Sequence, residues 1–407
     1  MPNFSIPLSG LDASNTALAT ISNNLANLNT VGYKDATVNF QDLFYQLLGS
    51  NGSGDDLQVG GGSSVASIST NFTSGSPEST GVDTDVAISG NGFFVVQDGS
   101  STYYTRAGDF TQNSAGYLAT ADGYEVLGYP AVNGVVNTSA GLQPIKVSDG
   151  TTKPATATTT MSLDANLSSA TDTGSSYDTS ITVYDSLGTS HVLSVDFAKT
   201  SSGWTYNVTI PSSEVTGGTG TNTTITSGTL AFDDDGNLTS TTPISLSISD
   251  LADGAANMSI DWQLASSGTG LITQSASASS CSTTQNGCTS GALSDFTINS
   301  DGTISGTFSN GTEVIGQIAL ANFANLQGLA KEGDNNYSAT IASGSASVGA
   351  PDSGSLGTLA GGKLELSNVD MSTEFSNLII AERGYQANAK SVSTFDQIAQ
   401  DTINLIR

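Results

Sequence analysis

The sequence predicts a mainly β protein whose N- and C-terminal segments are α-helices that pair as a coiled-coil domain. Two observations predict this fold class. Apolar residues recur every three or four positions at both ends of the chain, and short alternating runs separated by Gly and Asn turns fill the centre. Because 407 residues can hold two or three domains, we expect two β-rich domains inserted between the helices.

The N-terminal helix is predicted to begin near Pro7, since proline is tolerated in a first turn. It should end before Gly32, where the run TVGYK supplies a turn. Its small, uncharged flanking residues make this helix marginal alone. The apolar seam that we expect to drive self-assembly contains Leu11, Leu18, Ile21, Leu25 and Leu28.

The C-terminal helix is predicted over 371–406, with Asp370 as N-cap and Glu374 in its first turn. We expect both ends to be disordered in the free subunit and to fold on assembly. The alternative is a monomeric domain closed by its own termini. The residues of the second seam are Phe375, Leu378, Tyr385, Val392, Phe395 and Ile403.

The centre of the chain reads as strands. Alternation marks strands over 184–197 and 203–210, and Asp-Gly and Asn-Gly turns divide 296–323 into three strands. The run 51–64 is rich in Gly and Ser and predicts a flexible segment.

Charge and hydropathy exclude several partners. The 37 acidic and 10 basic residues give a formal net charge of −27, so we expect no nucleic-acid partner. No run of about 18 apolar residues occurs, so no membrane insertion is expected. The opening MPNFSIPLSG lacks the pattern of a cleaved signal peptide.

No catalytic residue, cofactor or metal site is predicted, and we expect a protein that is not an enzyme. His191 is the single histidine and reads as a residue at a strand start. The run Asp233–Asp235 precedes Gly236 and predicts a hairpin turn rather than a calcium loop. Cys281 and Cys288 either close a small disulfide loop or remain free thiols.

Several motifs resemble those of the bacterial flagellar rod and hook protein family. The run SGLDASNTALATISNNLANLNTVGYK (9–34) is similar to the family's N-terminal signature. DVAISGNGFFVV (85–96) and YTRAGDFTQNSAGYLATADGYEVLGYP (104–130) resemble its next block. GQIALANFANLQGLAKEGDNNYSAT (316–340) and SNVDMSTEFSNLIIAERGYQANAKSVSTFDQI (367–398) resemble its C-terminal blocks.

The resemblance implies a layered subunit. Its axial helical domain would be 1–32 and 364–407, followed by a linker and flexible segment over 33–75. A discontinuous middle β domain would be 76–146 and 292–363, and an outer β domain 147–291 would be inserted in it. The family's export-gate motif, Phe followed four residues later by an apolar residue, is matched by Phe40 and Phe44. The alternative is that these two aromatic side chains pack in a core.

Among family members, the chain length favours the hook subunit. That subunit forms a curved helical tube, which acts as a universal joint between rod and filament and encloses the export channel. The implied partners are copies of the chain itself, the rod, the hook cap, the hook–filament junction protein and the type III export apparatus. The alternatives are a distal rod or other axial paralogue, and a secreted β-rich adhesin or calcium-binding surface module.

Overall fold

The computed structural model describes residues 4–50, 56–148, 150–266 and 269–405. The chain divides into two compact units. The first unit is Met1–Ser148, Asp295–Gly306 and Glu313–Arg407; the second unit is Asp149–Ser294 and Thr307–Thr312. Helices α1 (Ser5–Ala26) and α2 (Met371–Leu405) lie at the two ends of the chain and pack against each other, which confirms the predicted fold class.

The strands of the first unit up to residue 148 alternate with short turns. They are β1 (Ala36–Asp42), β2 (Gln46–Ser50), β3 (Asp56–Val59), β4 (Ser63–Thr70), β5 (Pro77–Ser79), β6 (Val86–Ser89), β7 (Phe93–Asp98), β8 (Ser101–Thr105), β9 (Thr111–Gln112), β10 (Leu118–Ala119), β11 (Glu125–Val132), β12 (Val135–Val136) and β13 (Gln143–Pro144). A 3₁₀ turn, Thr138–Ala140, lies between β12 and β13.

The strands of the second unit are β14 (Thr152–Lys153), β15 (Thr160–Ser168), β16 (Ser176–Tyr184), β17 (Ser190–Thr200), β18 (Gly203–Pro211), β19 (Asn222–Leu230), β20 (Ile244–Ile248), β21 (Met258–Gln263), β22 (Ala265–Ser266), β23 (Thr269–Gly270), β24 (Ile272–Ser275) and β25 (Ser280–Gln285). A 3₁₀ turn, Ser212–Glu214, follows β18.

The last part of the chain contains β26 (Gly291–Ile298), β27 (Thr303–Phe308), β28 (Gly311–Ile318), β29 (Leu320–Asn322), β30 (Ala330–Gly333), β31 (Asn336–Ser338), β32 (Ser347–Gly349), β33 (Thr358–Gly361) and β34 (Lys363–Glu365). A 3₁₀ turn, Leu326–Gly328, precedes β30. The positive φ of Gly302 and Gly311 marks the Asp-Gly and Asn-Gly turns that join β26, β27 and β28, as predicted.

The segment 33–75 differs from the predicted linker. Strands β1 and β4 form an antiparallel ladder from Ala36–Thr70 to Asp42–Ser63, and both strands contact α1. In β1, Val38 and Phe40 alternate with polar residues, which is the pattern of a strand. The prediction missed this strand because the nearby Gly/Ser-rich run indicated a flexible segment. Part of that run, 51–55, lies outside the described residues.

The first unit is built around a sheet in which β7 pairs with β8, β11 and β29. Both faces of β7 are covered. Phe94 packs edge-on against Phe110, with ring centroids 5.0 Å apart, whereas Phe93 lies in a second cluster with Tyr337. Since successive strand residues point to opposite faces, the run FFVV supplies two cores at once.

The second unit is a sandwich of two sheets. One sheet has the order β16-β17-β18-β19, and the other has the order β20-β21-β15-β24, with β25 on β15. Trp262 of the second sheet contacts Tyr206 of the first, with ring centroids 5.3 Å apart. Buried Leu193, Val195 and Phe197 alternate with less buried neighbours, which confirms the alternation predicted for this strand.

Within the described residues, no helix is long and apolar enough to cross a membrane.

Candidate functional site

The two terminal helices approach each other through small residues. Ala13 and Ala17 of α1 are buried, with 4% and 7% of their surface exposed. A Cβ atom added to Gly10 would lie 2.6 Å from Nδ2 of Asn388 on α2. Near the chain ends, Phe4 packs edge-on against Phe395, with ring centroids 5.9 Å apart. Small side chains therefore set the helix spacing, and the larger ones flank the contact.

The predicted seam residues are only partly covered by this pairing. In α1, none of the predicted residues is fully buried; Leu11, Leu18, Ile21 and Leu25 are half-buried, as is Leu28 just beyond the helix. In α2, three are half-buried: Leu378, Val392 and Phe395. The remaining three are exposed: Phe375 by 49%, Tyr385 by 40% and Ile403 by 63%.

Further apolar side chains of α2 face solvent. Ile379, Ile380 and Ile398 are 53%, 69% and 47% exposed, in addition to the seam residues. Isolated exposed apolar residues are ordinary, but a series along one long helix is typical of a surface that another protein covers.

An apolar cavity of about 380 Å³ lies between α1, β1 and α2. Its walls include Ile21, Val38, Phe40 and Ile380, together with the carboxyl group of Glu374. Glu374 is 7% exposed, and its Oε2 atom has no hydrogen-bond partner. Burial raises the pKa of this carboxyl, against a lowering hydrogen bond from Asn24.

The start of α2 is capped as predicted. Oδ1 of Asp370 accepts hydrogen bonds from the backbone N–H groups of Ser372 at 2.8 Å and Thr373 at 3.2 Å. These hydrogen bonds lower the pKa of the Asp370 carboxyl. The cap fixes where the helix leaves the β region.

The motif NNLANLNTVGYK forms a hydrogen-bonded junction after α1. Asn24 is fully buried; its Nδ2 donates to the carbonyl oxygen of Ala36 at 2.8 Å, and its Oδ1 accepts from the Ala36 N–H at 3.0 Å. The hydroxyl of Tyr33 donates to the same Oδ1 at 3.1 Å. A single amide side chain thus holds the turn against the helix, which explains why the motif needs asparagine.

A buried ion cluster joins this junction to the strand before α2. Nζ of Lys34 lies 2.6 Å from Oε1 of Glu365, and Nη1 of Arg106 lies 3.2 Å from Oε2. Lys34 also donates to the carbonyl oxygen of Thr73 at 2.8 Å. Burial lowers the pKa of Lys34, and the carboxylate of Glu365 opposes that effect. Both carboxylate oxygens are therefore satisfied by cations.

Two neighbouring contacts reinforce the junction. The N–H of Gly32, at φ +68°, donates to the carbonyl oxygen of Glu365 at 2.8 Å. A Cβ atom at Gly32 would lie 2.6 Å from the backbone of Arg106, so only glycine fits there. Oδ1 of Asn368 accepts from the N–H of Asp35 at 2.8 Å.

The sequence prediction missed the roles of Asn24, Lys34, Arg106, Glu365 and Asn368. The motif NNLANLNTVGYK was a usable signal, since a lysine and four asparagines in an otherwise uncharged stretch require partners wherever they are buried. No sequence pattern around Glu365 or Arg106 indicated that these residues would be buried and paired.

The export-gate residues Phe40 and Phe44 are 53% and 95% exposed, so Phe44 does not contribute to a core. Their role in export stays a prediction. Both cysteines are free thiols, so the alternative disulfide is not formed in this structure. Cys281 lies on β25, and the backbone of Cys288 forms an isolated β-bridge with Thr156.

Four family models match the chain in order. They are "Flagella basal body rod protein" over 6–34, "Flagellar hook protein FlgE/F/G D1 domain" over 87–166, "Flagellar basal body protein FlaE D2 domain" over 154–288 and "Flagellar basal body rod FlgEFG protein C-terminal" over 360–405. The first and last of these cover the terminal helices.

Curated relatives extend the match to nearly the whole chain. The flagellar hook protein FlgE of Escherichia coli K12 is 39% identical over 422 residues, covering 99% of each chain. FlgE of Salmonella typhimurium LT2 is 38% identical, covering 99% of this chain and 100% of its own. FlgE of Treponema pallidum Nichols is 34% identical, covering 98% of each. The chain therefore belongs to the flagellar hook protein family.

Proposed function

We propose that this chain is the structural subunit of the flagellar hook and polymerises through its terminal helices. The observation that carries the proposal is the set of apolar side chains on α2 that α1 leaves exposed, with Ile380 at 69% and Ile403 at 63%. Covering such surface is favourable, at about 25 cal/mol per Å² of apolar area removed from water.

The geometry favours contacts between copies rather than closure of one monomer. The helices approach each other at small residues, Gly10 and Ser14 of α1 and Gly384 of α2, whereas larger seam residues such as Ile403 stay exposed. A head-to-tail contact between different surfaces, repeated without closing, produces a helical polymer. In this role the tube transmits torque from rod to filament as a curved universal joint and encloses the export channel.

We infer a structural rather than a catalytic role for the chain. We also propose that it is exported without a cleaved signal peptide through the type III apparatus and assembles outside the cell. Its further partners would be the rod, the hook cap and the hook–filament junction protein.

Polymerisation is tested by Ile380→Asp and Ile403→Asp. Because both side chains are exposed in the single chain, we expect thermal unfolding of the monomer to change little. Electron microscopy of the concentrated protein should show tubes for the parent and none for the variants. Ile341→Asp is the control, since Ile341 is fully exposed but lies outside the helices.

The outcomes separate the alternatives. Tubes from Ile380→Asp that match those of the parent would refute the helix surface as the assembly contact. Straight instead of curved tubes from the parent would indicate a rod paralogue. A parent that remains monomeric and gains stability with calcium would indicate a surface module.

The export role of Phe40 and Phe44 is tested separately by Phe44→Ala and the double alanine variant. Since Phe44 is 95% exposed, its loss should leave folding intact and reduce only the secreted fraction. Ile341→Ala is the matched control for removal of an exposed apolar side chain. Secretion equal to that of the parent at equal intracellular level would rule out the motif.

A further inference from the structure

The single histidine of the chain is buried in the second unit and faces three carboxylates. Nδ1 of His191 lies 2.7 Å from Oε2 of Glu214, and Nε2 lies 3.1 Å from Oδ2 of Asp185. Nε2 also lies 3.8 Å from Oδ2 of Asp253. The sequence prediction placed His191 correctly at a strand start but assigned no partner to it.

The four residues of this cluster come from three segments of the chain: the β16–β17 hairpin, the 3₁₀ turn after β18 and the loop before β21. His191 follows the buried face of β17 in phase with Leu193. Asp185 lies in the turn between β16 and β17, Glu214 ends a 3₁₀ turn, and Asp253 lies in the loop before β21. The Ala256 N–H donates to Oγ of Ser186 at 3.1 Å, which holds that loop against the turn.

Each aspartate has one oxygen fixed by the backbone and one that faces the ring. Oδ1 of Asp185 accepts from the N–H groups of Leu187 at 2.8 Å and Thr189 at 2.9 Å. Oδ1 of Asp253 accepts from the N–H of Ala255 at 3.0 Å. The two Oδ2 atoms are thereby directed toward Nε2, and the backbone, rather than the ring, sets their orientation.

A proton on Nε2 can be donated to Asp185 but not also to Asp253. Nε2 carries at most one hydrogen, and Oδ2 of Asp253, at 3.8 Å, is beyond hydrogen-bond distance. Even a doubly protonated imidazole would leave three carboxylates with a net charge of −2. A divalent cation placed between Nε2 and the two Oδ2 atoms, with the ring neutral, would reduce the net charge of the cluster to −1.

We propose that Asp185, His191 and Asp253 bind a divalent transition-metal ion of the zinc class, with Glu214 holding Nδ1–H of the ring. The three ligand atoms lie within 4.8 Å of one another. In a tetrahedral zinc site, bonds of about 2.0–2.1 Å place neighbouring ligand atoms about 3.3 Å apart. The observed 3.1 and 3.8 Å bracket that value.

The ligand chemistry supports the same ion class. Imidazole with carboxylates suits zinc, whereas calcium and magnesium prefer oxygen ligands alone. A carboxylate on the second ring nitrogen, here Glu214, is the usual outer partner of a metal-bound histidine. The Asp253 side chain is 28% exposed, which leaves access for the ion and for a water ligand.

The test uses the full chain, treated with a chelator and then titrated with Zn²⁺ by calorimetry or with Co²⁺ by visible absorption. We expect one ion per chain, the absorption of tetrahedral Co²⁺, and a higher unfolding temperature with metal. Asp253→Asn keeps the backbone contact and the buried pair Asp185–His191, so it should fold and bind about tenfold or more weakly.

Two controls make the outcome decisive. Asp234→Asn removes an exposed carboxylate elsewhere in the second unit and should leave binding unchanged. Because thiols also bind zinc, the double variant Cys281→Ser/Cys288→Ser should bind as the parent does. Absence of binding in the parent, unchanged binding in Asp253→Asn, or loss of binding with the cysteines would each overturn the proposal.

Discussion

Nζ of Lys34 lies 2.6 Å from Oε1 of Glu365, although the two residues are 331 positions apart in the chain. Lys34 lies in the turn after α1, and Glu365 ends the strand that precedes α2. The pair therefore connects the segment that follows α1 with the segment that precedes α2. Since both side chains are buried, the contact specifies one arrangement of these segments.

Removing Glu365 should cost more stability than removing Lys34. Glu365→Ala leaves two buried cations unpaired, and we expect a loss of about 3–5 kcal/mol in the free energy of unfolding. Lys34→Met leaves Glu365 paired with Arg106, so this substitution should lower the free energy of unfolding by less. Denaturant unfolding measures both, with exposed Lys363→Met as control. Equal effects of all three substitutions would contradict a cluster centred on Glu365.

The Glu374 carboxyl should make stability depend on pH. Burial raises its pKa above the usual 4.5, with smaller contributions from Asp35 and Asp370. Between 4.5 and the raised value, the folded chain binds more protons than the unfolded chain, so stability falls as pH rises through that window.

Glu374→Gln should remove this pH dependence and add about 1 kcal/mol to the free energy of unfolding at neutral pH, because it removes a buried charge whose Oε2 atom has no hydrogen-bond partner. Unfolding curves of parent and variant at several pH values measure the effect. Glu382→Gln, on an exposed part of α2, is the control. A variant less stable than the parent at neutral pH would show that the hydrogen bond from Asn24 to the charged carboxyl outweighs the cost of burying it.

Among the side chains of the second unit, Trp262 should contribute most to the free energy of unfolding. Its contacts with Tyr206 and Phe197 join the two sheets of the sandwich. Trp262→Ala should cost about 3–5 kcal/mol. Hydrogen exchange followed by mass spectrometry should show lost protection in β15–β21, whereas exposed Leu187→Ala should leave it intact. Retained protection in Trp262→Ala would contradict this assignment.

Both cysteines should react with a thiol reagent without prior reduction, since both are free. Burial raises the pKa of the Cys281 thiol, so less thiolate is present and this residue should react slowly. Comparing reaction rates of the parent, Cys281→Ser and Cys288→Ser separates the two thiols. A chain that reacts only after reduction would instead contain the disulfide.

Local patterns were sufficient for the secondary structure of the helices and of many strands. The Asp370 cap, the apolar period of α2 and the Asp-Gly turns before β27 each depend on neighbouring residues, and the structure confirms them. The strand β1 was missed because its partner β4 lies beyond a Gly/Ser-rich run. Its pairing depends on a contact that no local pattern records.

The fold class, the two helices and the family follow from local sequence patterns, because periodicity, turn residues and contiguous motifs are properties of neighbouring positions. Packing in three dimensions sets which seam side chains stay exposed, and it pairs Glu365 with both Lys34 and Arg106. It also brings Asp185, Glu214 and Asp253 to His191. These relationships join residues far apart in the chain. They depend on how the sheets and helices pack, and a linear pattern carries no distance between such residues.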